Sequence, residues 1–340
     1  MMASLKALLL TTRDVYAAGV KNPNICLIPE NLQDDSTTSI PLPGNDKALL
    51  DRCARFRKAG LLAARKGELA IADHFFREEH LLLHSEKLCP ESFLAGNSAH
   101  EAAVAYFDYR CNNLEKAITR IHNALEADEI LENKYGYTIL HMHRIRLVLN
   151  LMRLNSKRMH VEKVINIGFQ VLNYLEGKSK TLPILTSWDD TRLADQSRER
   201  ITMMFELATA EIAYALASRE IITTKNKTFH TRDLFTGAAY HIQPGNANEC
   251  YLSTRAHKWL QMKRALVEND LVDFLRQIIQ MLSDRQIDMS LFWYASILDL
   301  LLLCKKINLP EADLIQQDIV KDAKLWEWKY LPHSWRIVLE

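Results

Sequence analysis

Ten glycines and nine prolines among 340 residues leave this chain few places at which a helix must stop. That is about half the usual share of the two residues. A β-sandwich or barrel needs a turn roughly every ten residues, so long helices are the expected product. The apolar pattern agrees. Ile201, Met204, Phe205, Ala208, Ile212 and Leu216 recur three and four apart, the stripe of an amphipathic helix. About ten helices can be counted on this pattern, with no convincing run of strand period. The expected fold class is all-α.

Three breaks divide the chain. Four of the nine prolines lie within residues 23–43, after a short first helix, and helical periodicity resumes at Lys47. The second break runs over residues 177–195, and the third over residues 223–248. A small hairpin over residues 228–242 is the one β alternative, and a weak one. The expected organisation is therefore residues 1–46 as a short helix and irregular segment, residues 47–176 as helical hairpins, and residues 177–340 as further hairpins with a Trp-rich end.

Within residues 47–176 a frame of small residues repeats. Phe56, Ala59, Gly60, Ala63, Gly67, Ala72 and Phe76 form the first copy. Val104, Ala105, Asn112, Ala117, Ile121 and Ala124 form the second, and Leu147, Val148, Asn155, His160, Val164 and Ile167 the third. Ala59, Gly60 and Ala72 let two helix backbones approach closely. Gly67, Asn112 and Asn155 are of the two residue types that best tolerate a left-handed helix cap. The frame resembles the tetratricopeptide repeat, with a longer period. That resemblance implies an α-solenoid of antiparallel helical hairpins whose first helices line a concave groove. Further hairpins are expected from residues 248–267 with 270–283, and 290–307 with 311–329.

A cation stands two residues before each expected turn: Arg65, Arg110 and Arg153, with Lys306 before Asn308. Equivalent positions line up in a stacked solenoid. Residues near this position in the repeat family often hold carboxylates of a bound peptide. Arg57, Leu61, Tyr106, Tyr109 and Met152 share the face by helical spacing. The candidate ligand-binding residues are Arg57, Arg65, Tyr106, Tyr109, Arg110 and Arg153, since the arginine fork suits carboxylate or phosphate. The competing explanation is that a cation in the last helical turn complements the helix dipole.

Other groupings are weaker. His80 and His84 are four apart on one helix beside Glu78 and Glu79 and could form half a metal site, but nothing signals further ligands; His74 is on the same helix. His141 and His143, two apart, point to different sides. Gly177-Lys178-Ser179 lacks the leading glycine of a phosphate loop, with Leu172 in its place. Asp189, Asp190 and Asp195 fit a solvated loop and helix cap. Asn226-Lys227-Thr228 is a sequon of no consequence in a cytoplasmic chain. No nucleophile sits in a recognisable triad context. Trp326, Trp328, Tyr330 and Trp335 around Pro332 and His333 read first as a cap on the last hairpin, and second as a binding patch.

Charge and cysteine narrow the setting. Forty-three basic and 42 acidic residues balance to +1, which argues against a dedicated nucleic-acid or membrane-surface binder. Cys26, Cys53, Cys89, Cys111, Cys250 and Cys304 are scattered through apolar stretches and contain no C-x-x-C pair, as in a reduced compartment. The run Ala7–Leu10 is short for a signal-peptide core, and the apolar stretch 291–304 contains Asp299 and suits a buried helix. The expected protein is a cytoplasmic, non-catalytic scaffold, with no cofactor or metal, that holds a protein or peptide, possibly acidic, in a helical groove. The alternatives are a helical enzyme using His80, His84 and Glu79 as metal ligands, and a ligand-responsive regulator; no segment before residue 47 suits a helix-turn-helix.

Overall fold

The computed structural model describes residues 2–21, 23, 44, 46–85, 87–182, 184, 186–188, 190–226, 254–283, 290–328, 331, 335–336 and 339. Among them the chain is all-helical, with thirteen helices and no strand. In order these are α1 (Met2–Ala18), α2 (Lys47–Lys66), α3 (Leu69–Ser85), α4 (Pro90–Arg110), α5 (Leu114–Tyr135), α6 (Leu140–Lys157) and α7 (Val161–Leu175), then α8 (Asp190–Ala194), α9 (Arg198–Asn226), α10 (Thr254–Val267), α11 (Leu271–Ser283), α12 (Ser290–Lys306) and α13 (Pro310–Ala323). They sort into two compact units. One holds α2–α6 and residues 173–204; the other holds α1, residues 164–172 and the described residues from Phe205 onward.

In the α2–α6 unit, neighbouring helices pair: α2 with α3, α4 with α5, and α5 with α6. α2 also touches α4, so first helices meet across successive hairpins. The small-residue frame makes this possible. Ala63, Ala64, Ala72, Phe76, Ala103 and Val104 form one buried cluster. A Cβ on Gly60 would lie 2.9 Å from the Phe76 ring, so glycine is what lets α3 lie this close to α2.

The turns follow one rule. Gly67 and Asn112 are left-handed, with φ of 84° and 62°. Each donates its N–H to the carbonyl three residues back, and the following residue donates to the carbonyl five residues before itself, Glu68 to Ala63 and Asn113 to Asp108. This is the Schellman closure of a helix C-terminus.

The third turn departs from the sequence reading. Asn155 is helical and buried, with its side-chain Nδ2 donating to the Leu151 carbonyl at 2.7 Å. α6 runs one further half-turn to Lys157, and Met159 takes the left-handed position at φ 61°, with Met159 N–H on Ser156 and His160 N–H on Asn155. An asparagine's tolerance of left-handed backbone is only a tendency, and here its amide serves the helix interior instead. A half-exposed methionine in this conformation is strained. Met159→Gly should therefore raise stability by up to about 1 kcal/mol, checked by the urea midpoint; a decrease would show that the Met159 side chain packs usefully.

In the other unit α10 pairs with α11, α12 with α13, and α1 lies against both α11 and α13. The turn between α10 and α11 repeats the closure at Asn269, φ 63°. α12 is buried all round from Phe292 to Cys304, Asp299 included, and Asp299 accepts from the buried Lys263 of α10 at 2.7 Å. No described helix is long and apolar enough to cross a membrane.

The C-terminal tryptophans are largely inside. Trp326 and Trp335 are buried and Trp328 is half-buried. Trp326 meets Trp293 and Tyr294 of α12 edge-on, at centroid distances of 5.9 and 4.9 Å, while Trp335 lies 6.0 Å from Tyr214 of α9. The expected hairpin over residues 228–242, and Asp189, Tyr330, Pro332, His333, Cys26 and Cys250, lie outside the described residues. Cys53, Cys89, Cys111 and Cys304 are free thiols.

Candidate functional site

Counting back two residues from Gly67, Asn112 and Met159, the left-handed residues that close α2, α4 and α6, gives Arg65, Arg110 and Lys157. The sequence reading has Arg153 as the third cation; the third turn sits at Met159, and the cation two residues before it is Lys157. All three side chains are exposed. They stand on the last turns of α2, α4 and α6, where unpaired carbonyls make the helix ends partly negative.

Each cation after the first reaches back to the preceding first helix. Arg110 Nη1 donates to the Arg65 carbonyl at 3.4 Å and to the Tyr106 hydroxyl at 3.2 Å. Lys157 Nζ donates to the Tyr109 carbonyl at 3.1 Å and lies 4.2 Å from the centre of the Tyr109 ring. Tyr106 and Tyr109 stack at 6.3 Å between them. Partial burial and the Arg110 charge hold the Lys157 amine below its usual pKa. Among the described residues, no carboxylate pairs with Arg65, Arg110 or Lys157; by contrast, the adjacent Arg158 is bound to Glu115 at 2.6 Å.

The remaining sequence candidates divide. Tyr106 and Tyr109 belong to the row, being the floor on which Arg110 and Lys157 rest. Arg153 lies one turn back on α6, half-buried, with Nη1 on Asn150 Oδ1 at 3.3 Å. Arg57 is mostly buried and donates to Glu79 Oε1 at 2.7 Å. Met152 is wholly buried, and Leu61 packs partly buried on the α2–α4 core.

The helix junctions hold a feature that spacing does not reveal. At the α3–α4 and α5–α6 junctions a buried carboxylate meets a histidine of the following helix. Glu79 of α3 takes His100 Nδ1 of α4 at 3.0 Å; Asp128 of α5 takes His143 Nδ1 of α6 at 2.6 Å; Glu132 of α5 takes His141 Nδ1 at 2.7 Å. His141 Nε2 lies 2.7 Å from the Tyr174 hydroxyl, and Arg144 Nη1 binds the other Glu132 oxygen at 2.5 Å. All of Glu132, His141, Arg144 and Tyr174 are at most 1% exposed, so they tie helices together rather than face a reactant.

The metal alternative finds little support in this geometry. Both Glu79 oxygens are engaged, by Arg57 and His100, and are not offered to His80 and His84. Among the described residues no three His, Cys, Asp or Glu side chains are arranged to hold a metal ion. Gly177 is a left-handed helix cap and Lys178 pairs with Glu176, so the Gly-Lys-Ser run has a structural explanation. No family model, curated protein or solved structure matches the chain.

Proposed function

We propose that the protein is a non-catalytic binding scaffold of stacked helical hairpins, and that the row Arg65–Arg110–Lys157, floored by Tyr106 and Tyr109, takes an acidic segment of a partner protein. One observation carries this reading: three exposed cations follow one another along successive helix ends without a carboxylate partner among the described residues. Two of them touch helix-end carbonyls, yet a helix terminus carries only about half a charge, so full positive charge is left over. The row has guanidinium forks for carboxylates and tyrosine faces for the stems between them.

Arg65→Ala/Arg110→Ala/Lys157→Ala should weaken binding of a fluorescein-labelled glutamate-rich peptide at least tenfold, roughly 1.4 kcal/mol. Wild-type binding should also fall steeply with added salt. The melting temperature should move by only a few degrees, since each surface cation is worth about 0.3–1 kcal/mol to its helix end. Equal affinity in wild type and variant would remove the row as the binding site.

A further inference from the structure

The contact between the first hairpin and the second carries a row of three imidazoles. His80 and His84 of α3 are exposed and their rings lie 4.1 Å apart between centroids. His80 lies 5.5 Å from His100 of α4, which is 4% exposed, and His84 meets Phe93 of α4 edge-on at 5.3 Å. The row thus runs from solvent into the α3–α4 interface. The Nδ1 of His84 is 2.9 Å from the His80 carbonyl and Nδ1 of His100 is 3.0 Å from Glu79.

The charges around the row are already spent. Arg57 of α2 holds one oxygen of Glu79 at 2.7 Å, and His100 holds the other. On α4 Glu101 acts on His80, and it is bound by Arg120 of α5 at 3.0 Å and by Asn123 at 3.2 Å. A proton added to His80 therefore meets the His84 and His100 imidazoles and the charge of Arg120, while Glu79 and Glu101 are already engaged. Partial desolvation against α4 first, then His84 and His100, hold the otherwise exposed His80 below its ordinary pKa.

We propose that His80, set between His84 and His100, is an acid-sensitive latch, closed while its ring is neutral and loosening the α3–α4 packing between the first two hairpins when it takes up a proton. The direction follows from linkage. A histidine that binds its proton less readily in the folded chain than in the unfolded chain leaves the unfolded state holding more protons. The packing is therefore fully stable above the unfolded value of about 6.5 and weakens as pH falls below it. This device is independent of the cation row.

The test is amide hydrogen exchange on the full chain at about pH 7.5 and about pH 5.5, with protection factors corrected for intrinsic rates. In wild type, protection along α3 and α4 should fall several-fold at the lower pH, the direction set by a histidine that binds its proton less readily in the folded chain. In His80→Gln/His84→Gln the fall should shrink to less than about threefold. An equal fall in both proteins, or one confined to the α5–α6 junction where His141 and His143 sit, overturns the latch. Should the double variant not fold, NMR titration of the wild-type imidazoles decides. Titration of His80 below about 6.5 supports the latch, and titration of His80 at the ordinary value overturns it.

Discussion

Arg144→Ala should destabilise the α2–α6 unit by about 3–5 kcal/mol, the range for removing one partner of a buried ion pair. The guanidinium is 1% exposed. It donates to Glu132 at 2.5 Å, to Thr186 Oγ1 at 2.8 Å and to the Ser187 carbonyl at 2.5 Å, and it lies 4.2 Å from the centre of the Trp188 ring. One side chain thus ties the α5–α6 pair to the segment that follows Gly177. Without it Glu132 keeps a single partner, His141, in a place where water cannot replace the lost bonds. Burial alone would push the Glu132 carboxyl up, but the hydrogen bonds and charges of His141 and Arg144 overrule it and hold the group below its ordinary value. A carboxyl lowered in this way stabilises the fold above the unfolded value of about 4.3 and stops doing so as pH falls below it. Arg144→Ala should therefore also move acid unfolding to higher pH. Urea unfolding at neutral pH and an acid titration by circular dichroism measure both effects. A loss under about 1 kcal/mol would mean that water enters the network. Adding Glu132→Gln to Arg144→Ala should recover part of the loss, because it removes the stranded charge.

What could be read from the sequence was local. Gly60, Ala63 and Ala72 set how closely two adjacent helices approach, and Gly67 and Asn112 close their helices by backbone conformation; both effects are written within a few residues of their cause. Asn155 shows the limit. The same residue type that caps α4 at Asn112 bonds inside α6, because the competing partner, the Leu151 carbonyl, is offered only once the helix is packed. The sequence reading puts the third cation at Arg153 because it puts the third turn at Asn155; with the turn at Met159, the residue two before it is Lys157. Arg57 was placed on a binding face because Glu79, its partner 22 residues on, cannot be found by helical spacing. The histidine–carboxylate pairs join helices through side chains 9–21 residues apart. No periodicity connects such pairs; only the stacking of one hairpin on the next brings them together. The tie between the two ends of the chain lies further still beyond pattern, with Trp326 donating to the Lys21 carbonyl across 305 residues.

That tie sets the second large effect. Trp326→Ala should cost about 3–5 kcal/mol, the range for emptying a buried aromatic site. The indole is 4% exposed and edge-packed on Trp293 and Tyr294 of α12. Its Nε1 donates to the Lys21 carbonyl at 3.1 Å, and the Tyr294 hydroxyl donates to the Pro23 carbonyl at 2.9 Å. Lys21 also binds Asp322 of α13 at 3.3 Å. The ring thus fills the space over α12 and fixes the chain just after α1. Two variants separate these roles. Trp326→Phe keeps an aromatic ring and loses the N–H donor, so it should cost about 1–2 kcal/mol, near the value of one buried hydrogen bond plus a small packing defect. Trp328→Ala removes a half-buried ring whose Nε1 donates to the Ala323 carbonyl at 2.8 Å, and it should cost less than half as much as Trp326→Ala. Thermal or urea unfolding of the three variants gives the ranking. If Trp326→Ala were as mild as Trp328→Ala, the cluster would not be closing the end of the helix stack, and these rings would become candidates for an exposed binding patch.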